Sequence, residues 1–356
     1  MIMRSILALT ILIILNSSFS IASAEEQRVA TVIEVSQPIA QEGLGYSEQI
    51  VKIRIKGESE DIFITHPVPD NKAYAILAKK GQQYLIASDA ESNQIYITDY
   101  FREPTMIMML VGFFILVIIL GGFKGFTAIV SLALTGLAVF YVLIPGIKHG
   151  GDPVMLAVIV SAFSTAVTAL LIAGWTKKSL AATIGTTGGV AVAGLISMYI
   201  IHTAPLSGLA STEAQMLVAN PENSVLNFQG MLAAGIIISS LGAALDVAVS
   251  IASAAQELYE TNPSQPKREL LRHCMNIGRD IMGTMVDTLI LAYTGSSMSL
   301  LILLYNEPGL RFLNMEIIAA ELTLAVVGSV GLLLSVPITA VVAVLLLKGF
   351  KKTSTT

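Results

Sequence analysis

The chain has two kinds of hydrophobic pattern, long apolar segments in one part and a two-residue alternation of apolar and polar residues in the other. From residue 104 to 352 the apolar segments are long, and most have the roughly 20 residues that a helix needs to cross a bilayer. The first is short, and the last is long enough to tilt or to kink at Pro337. We therefore predict an α-helical polytopic membrane protein with about seven transmembrane helices, near 105–121, 123–144, 154–175, 179–201, 230–255, 283–304 and 316–347.

The preceding segment, residues 25–103, is polar and has the two-residue period of half-buried strands. From Val51 to Lys56, for example, apolar residues alternate strictly with basic ones. Similar stretches lie at 28–35, 61–68, 83–88 and 94–101. Short strands at this density predict a small all-β domain of the OB or SH3 type.

Residues 1–24 have the pattern of a secretory signal peptide. Arg4 provides a positive start, Ile6 to Leu15 an apolar core, and Ala22-Ser23-Ala24 a small-x-small cleavage site. An uncleaved anchor helix is the alternative. A signal of either kind predicts that the β domain over residues 25–103 lies outside the cytoplasmic membrane.

The distribution of basic residues gives the same orientation. Loops on the cytoplasmic side of a membrane are enriched in lysine and arginine. With the β domain outside, the loops predicted outside carry only Lys148 and Arg311. The loops predicted inside carry ten basic residues: Lys124, Lys177, Lys178, Lys267, Arg268, Arg272, Arg279, Lys348, Lys351 and Lys352. We therefore predict a multi-pass cell-membrane protein with a cytoplasmic C-terminus.

The main cytoplasmic feature is the connector over residues 256–282. Within it, residues 267–281 (KRELLRHCMNIGRDI) mix basic and apolar residues, a pattern typical of a basic amphipathic helix at a membrane surface. One interpretation is a positive loop that sets topology and touches lipid headgroups. The other is a docking surface for a cytoplasmic partner.

Candidate chemistry lies on the two spans that flank this connector. Asp246 and Asp287 are carboxylates within apolar helices, and a carboxylate at the centre of a membrane helix costs about 2.5–3.5 kcal/mol. Helical rise places both in the inner half of the predicted spans. Hydroxyls at helical spacing accompany the carboxylates, and Glu321 lies near the outer end of the last span. The predicted transport pathway comprises Asp246, Ser250, Ser253, Thr284, Asp287 and Glu321; a helix interface that satisfies these groups inside the bundle is the alternative.

The fourth span has a pattern that indicates packing instead of chemistry. Ala181, Gly185, Gly189 and Ala193 are four residues apart, which puts small side chains on one face of the helix. Such a face allows another helix to approach closely.

Composition narrows the function classes. The chain is 54% hydrophobic and 13% charged, against about 25% charged in soluble domains. One cysteine excludes a disulfide framework and a cysteine-based metal cluster, and no phosphate loop, dinucleotide fingerprint or zinc-protease motif is present. His149, His202, Asp152 and Glu213 could meet at an outer vestibule, but their spacing is not that of a metal site. We expect no metal, cofactor or nucleic acid.

The chain resembles the YibE/F family of membrane proteins over nearly all of its length. The segments that carry the resemblance are QIYITDYFRE (94–103), LGAALDVAVSI (241–251), GRDIMGTMVDTLILAYTG (278–295) and ELTLAVVGSVGLLLSVPITA (321–340). The resemblance implies a multi-pass bacterial protein of permease-like character, and it implies no cargo.

These observations favour a secondary transporter or permease for a small solute or ion, without enzymatic activity. The alternative is a non-transporting scaffold or sensor whose outer β domain binds a ligand or partner. An intramembrane aspartyl protease is disfavoured, because Met285-Val286 precede Asp287 where such proteases carry a Gly-x-Gly-Asp string. Expected partners are the lipid bilayer, a second copy or second membrane subunit, and a cytoplasmic protein at residues 267–281.

Overall fold

The computed structural model describes residues 27–40, 45–71, 73–88 and 94–349. The predicted signal peptide, residues 1–24, lies outside these ranges. The chain divides into two compact units, Met1–Ile119 and Leu120–Thr356, and each is described by itself.

The first unit contains the predicted β domain as an antiparallel sheet. Its strands are β1 (Arg28–Val35), β2 (Ile39–Ala40), β3 (Tyr46–Ile55), β4 (Asp61–Pro69), β5 (Gln83–Ser88) and β6 (Ile95–Tyr100). They are ordered β2-β3-β1-β5-β6, and β4 pairs with β3. All five predicted strands are present. The alternating pattern of β3 buries Val51, Ile53 and Ile55 in the core, while Arg54 stays exposed.

Three buried polar side chains tie the segment between β4 and β5 to this sheet. The Gln49 side chain accepts a hydrogen bond from Ala78 N (3.0 Å). The Tyr84 hydroxyl donates to Leu77 O (3.1 Å), and His66 Nε2 lies 2.8 Å from Ile76 O. Side chains of the sheet thus pair the backbone groups of Ile76, Leu77 and Ala78 in this segment.

His66 makes the stability of this domain depend on pH. Burial lowers the pKa of His66 below its ordinary value of 6.5. Just below pH 6.5 the unfolded chain therefore binds more protons than the folded chain. The contribution of neutral His66 to the free energy of unfolding is complete above pH 6.5 and is lost as the pH falls through the folded pKa. We expect residues 25–103, expressed alone, to be soluble, to give a β-type circular dichroism spectrum, and to melt at a lower temperature at pH 5.5 than at pH 7.5.

His66→Gln is the control, since residues 25–103 contain no other histidine. Its melting temperature should vary little between those two pH values. An insoluble fragment, or a wild-type profile as flat as that of the variant, would contradict the prediction.

Ten α-helices follow the sheet within the described residues. They are α1 (Glu103–Ala138), α2 (Ile144–Lys148), α3 (Pro153–Ala173), α4 (Lys177–Thr203), α5 (Thr212–Ala219), α6 (Phe228–Thr261), α7 (Lys267–Ser296), α8 (Met298–Leu303), α9 (Gly309–Asn314) and α10 (Glu316–Lys348). A π-helical turn, Val139–Leu143, joins α1 to α2. Side-chain N-caps begin three of the long helices: Asp152, Thr176 and Asn227.

Five helical segments in the described residues are long and apolar enough to cross a membrane: Glu103–Lys148, Pro153–Ala173, Lys177–Thr203, Phe228–Thr261 and Glu316–Lys348. The first covers two predicted spans. Gly122, at φ 55° and ψ −134°, interrupts its helical geometry at the predicted boundary between them. These five segments, long and apolar enough to span a membrane, cover six of the seven predicted spans.

The remaining predicted span, 283–304, differs from expectation. Helix α7 begins at Lys267, well before residue 283, and ends at Ser296, so the span is divided between α7 and α8. The predicted connector over 256–282 shortens to the five residues between Thr261 and Lys267. The amphipathic segment 267–281 is thus the first half of α7. The charges of Arg279, Asp280 and Asp287 hid this continuity, because they interrupt the apolar pattern without interrupting the helix.

Helix α7 runs antiparallel to both α6 and α10. Gly278 of α7 faces Ile251 of α6 and Val336 of α10. At the connector end, Lys267 Nζ donates to Gly349 O (2.5 Å), and Lys348 Nζ donates to Pro263 O (3.2 Å) and to Gln265 O. The lysines near the connector therefore hydrogen-bond to backbone carbonyls, holding the end of α10 beside the start of α7.

The small-residue face of α4 is a helix interface, as predicted. Ala181, Gly185, Gly189 and Ala193 are all buried. Across the contact, Gly331 of α10 approaches Gly189 and Ala193. Helices α4 and α10 thereby form the centre of the helical unit, and α6 packs on both.

Candidate functional site

The six predicted pathway residues lie on three helices, with different exposure. On α6, Asp246 and Ser250 are exposed and Ser253 is half-buried. On α7, Thr284 and Asp287 are exposed. Glu321, on α10, is half-buried. Five of the six therefore lie on α6 and α7, mostly on surface that the rest of the chain leaves uncovered.

The register between α6 and α7 relates the two aspartates. Because Gly278 faces Ile251 and the helices are antiparallel, Asp246 is level with Gly283 and Thr284. Asp287 lies one turn further along α7, about 6 Å away in height. Asp246 is roughly 22 Å from the end of α6 at Thr261, near the middle of that helix, and the position of both carboxylates within the membrane stays a prediction.

The hydroxyls beside these carboxylates bond to their own helices. Ser250 Oγ donates to Asp246 O (2.8 Å), and Ser253 Oγ donates to Val249 O (2.6 Å). Thr284 Oγ1 donates to Ile281 O (2.9 Å). The proton of each hydroxyl is thus donated within its own helix. Each hydroxyl can therefore offer a ligand only its oxygen, as a hydrogen-bond acceptor.

Glu321 lies in a different part of the helical unit from the two aspartates. It lines a cavity of about 200 Å³ between the end of α7, the short helices α8 and α9, and the start of α10. Glu321 Oε2 accepts a hydrogen bond from Ser297 Oγ (2.9 Å), at the break between α7 and α8. Ser297 is about 20 Å from Thr284 along the axis of α7. Glu321 and the two aspartates therefore lie at different heights in the helical unit.

Sequence reasoning missed the partners of Glu321 in this cavity. Tyr293 lines it from the last turns of α7, Ser297 from the break between α7 and α8, and Phe312 from α9. Their meeting depends on where α7 stops and α10 starts. No spacing within either segment carries that information.

The basic half of α7 forms a groove at the opposite end of the helical unit. Arg268, Arg272 and Arg279 are exposed along one side of it, above Leu271 and Met275. The groove has a volume of about 680 Å³ and is lined by Pro266, Arg268, Glu269, Leu271, Arg272, Met275, Asn276 and Arg279. The surface predicted for lipid headgroups or a cytoplasmic partner is therefore a face of α7, and its occupant stays a prediction.

Two of the four residues considered for an outer metal vestibule make local hydrogen bonds. Asp152 Oδ1 accepts from Met155 N (2.7 Å) as the N-cap of α3, and His149 Nδ1 lies 2.6 Å from Pro145 O. Among the residues that the structure describes, no three histidine, cysteine, aspartate or glutamate side chains are grouped to hold a metal ion.

The apolar helices and their packing define the class: this is a polytopic membrane protein with a small antiparallel sheet at its N-terminal side. A family model described as YibE/F-like protein matches residues 109–349, from within α1 to just past α10, and the chain belongs to that family. The match confirms the resemblance seen in the sequence. No curated protein and no solved structure matches the chain.

Proposed function

We propose that this protein is a secondary transporter or permease for a small solute or ion. The observation that carries the proposal is the Glu321 cavity, a concave site with a carboxylate in a mostly apolar wall. Ligand sites in proteins have this character, with few polar groups in an apolar lining. The protein has no motif for a nucleotide-driven pump, so an ion or solute gradient is the proposed energy source.

Carboxylates on three helices, at two different heights, support a path. Glu321 of α10 lies at the level of Ser297, whereas Asp246 of α6 and Asp287 of α7 lie at heights near the middle of α6. Polar groups at successive heights within a membrane protein mark ion and substrate pathways. The proposed activity is movement without chemical conversion, so none of these residues is assigned a catalytic role.

A non-transporting scaffold or sensor is the second candidate. The observation that favours it is the exposed arginine groove on α7, which suits a partner or lipid headgroup better than a cargo. The uptake assay described below separates the two candidates, because a scaffold moves nothing across a liposome.

The proposed orientation places the β domain and the α5 region outside and the connector inside, across seven spans. The native Cys274 is fully buried, so it is a silent background for thiol labelling. In intact cells, cysteine at exposed Ser224 should react with a membrane-impermeant maleimide, whereas cysteine at exposed Ser264 should react only after lysis. The reverse pattern, or labelling of both sites in intact cells, would contradict this topology.

The transport proposal is tested with purified protein in liposomes that contain a pH-sensitive dye and a panel of labelled inorganic ions, organic cations, organic anions and neutral solutes. At least one class should enter faster than into empty liposomes, and Glu321→Gln should slow that entry. Glu222→Gln, an exposed residue before α6, is the matched control and should behave as wild type. No uptake of any class by correctly folded protein would overturn the proposal.

A further inference from the structure

The cavity at Glu321 combines one carboxylate with an otherwise neutral lining. Ser297 donates to Glu321 Oε2, and no described residue donates a hydrogen bond to Oε1. No lysine or arginine lines the cavity, and the nearby Arg311 pairs with Glu307 at 3.1 Å. The lining residues are Ile290, Tyr293, Thr294, Ser297, Leu300, Leu301, Phe312, Ile318, Glu321, Leu322 and Ala325.

We propose that this cavity binds a small organic monocation, an inference that rests on the proposed transport function and names its substrate class. A half-buried carboxylate without a cationic partner is stabilised by a bound positive charge. The rings of Tyr293 and Phe312 add an attraction that cations feel towards aromatic groups. The aliphatic wall accommodates the carbon groups of an organic cation.

The same lining disfavours a divalent metal ion such as calcium or magnesium. Calcium takes six to eight oxygen ligands, and magnesium gives up its water only reluctantly. The side chains of Glu321, Ser297, Thr294 and Tyr293 together carry only about five oxygens, too few to replace that shell, and the other lining residues are apolar. The volume of about 200 Å³ also lies below the usual 300–1,000 Å³ of drug-sized sites, so the cation is small.

Choline and its neutral isostere 3,3-dimethylbutan-1-ol test the charge requirement at constant shape. Full-length protein in nanodiscs of uncharged lipid is equilibrated with labelled choline, and binding is measured by dialysis. We expect saturable binding that excess unlabelled choline displaces and the neutral isostere does not. Equal competition by the isostere would overturn the inference.

Two variants locate the site. Glu321→Gln should weaken choline binding by at least about tenfold, because it removes the charge that faces the cation. Ala325→Leu fills the apolar wall and leaves the charge in place, and it should also weaken binding. Glu222→Gln, far along the chain on an exposed turn, should bind as wild type. Undiminished binding by both cavity variants would contradict the assignment.

The outcomes for binding and transport are separable. Choline binding that depends on Glu321, without uptake in liposomes, would support the cation site and count against transport. Uptake of another solute class, with no charge-dependent choline binding, would support transport and overturn the cation site.

Discussion

Gly189→Ala is expected to deplete the protein from the membrane and to lower its melting temperature in detergent. A Cβ at Gly189 would lie 2.5 Å from Gly331 O and 3.0 Å from Ser335 N, both backbone atoms of α10. Rotating a side chain cannot relieve these contacts, so α4 and α10 must move apart. Overpacking of this kind costs about 1–3 kcal/mol, and we expect the upper end because backbone atoms are involved.

Gly235→Ala is the matched control for this change. Gly235 also lies within a long helix, α6, but a Cβ there would meet nothing within 4 Å. Alanine has the higher helix propensity, by about 1 kcal/mol, so this variant should be as abundant as wild type or more so. Equal abundance and equal melting temperatures for the two variants would mean that α4 and α10 do not pack this closely.

The helix interface illustrates how far the sequence alone could predict the fold. The spacing of Ala181, Gly185, Gly189 and Ala193 indicated a close contact correctly, because a four-residue period is a property of one helix. It could not identify Gly331 on α10 as the partner. That choice depends on how separate helices assemble, which no local pattern records.

For the connector, the local pattern was interpreted correctly, but the helix boundary predicted from it was wrong. Residues 267–281 are amphipathic, as predicted, but they continue into the predicted sixth span as one helix. Hydrophobicity marks where a helix meets lipid, whereas helix propensity and packing determine where it begins. Leu270 and Cys274 are fully buried, so tertiary contacts extend α7 back to Lys267.

The candidate site was predictable only in part, for a related reason. Carboxylates in apolar helices stand out in a sequence, and this marked Asp246, Asp287 and Glu321. Their grouping into one pathway assumed that they face a common interior. The structure places Glu321 in a cavity with Ser297 and leaves the aspartates on the exposed side of α6 and α7.

Asp246→Asn is expected to leave the protein abundant in the membrane and to reduce its uptake activity to nearly that of empty liposomes. Asparagine keeps the shape of aspartate and can still hydrogen-bond, and a neutral amide costs less to place in hydrocarbon than a carboxylate. Folding should therefore be unharmed. If Asp246 carries a proton or cation along the pathway, the amide cannot replace it, because it neither titrates nor holds a charge.

Glu257→Gln is the control for this substitution, since Glu257 is an exposed carboxylate on the same helix, about three turns from Asp246 and outside the predicted pathway. It makes the same change from acid to amide and should keep normal uptake, because it leaves no buried group unpaired. Full activity of Asp246→Asn at normal abundance would reduce Asp246 to a packing residue. Loss of the variant from the membrane would instead assign Asp246 a structural role, and only normal abundance with lost uptake supports a place in the pathway.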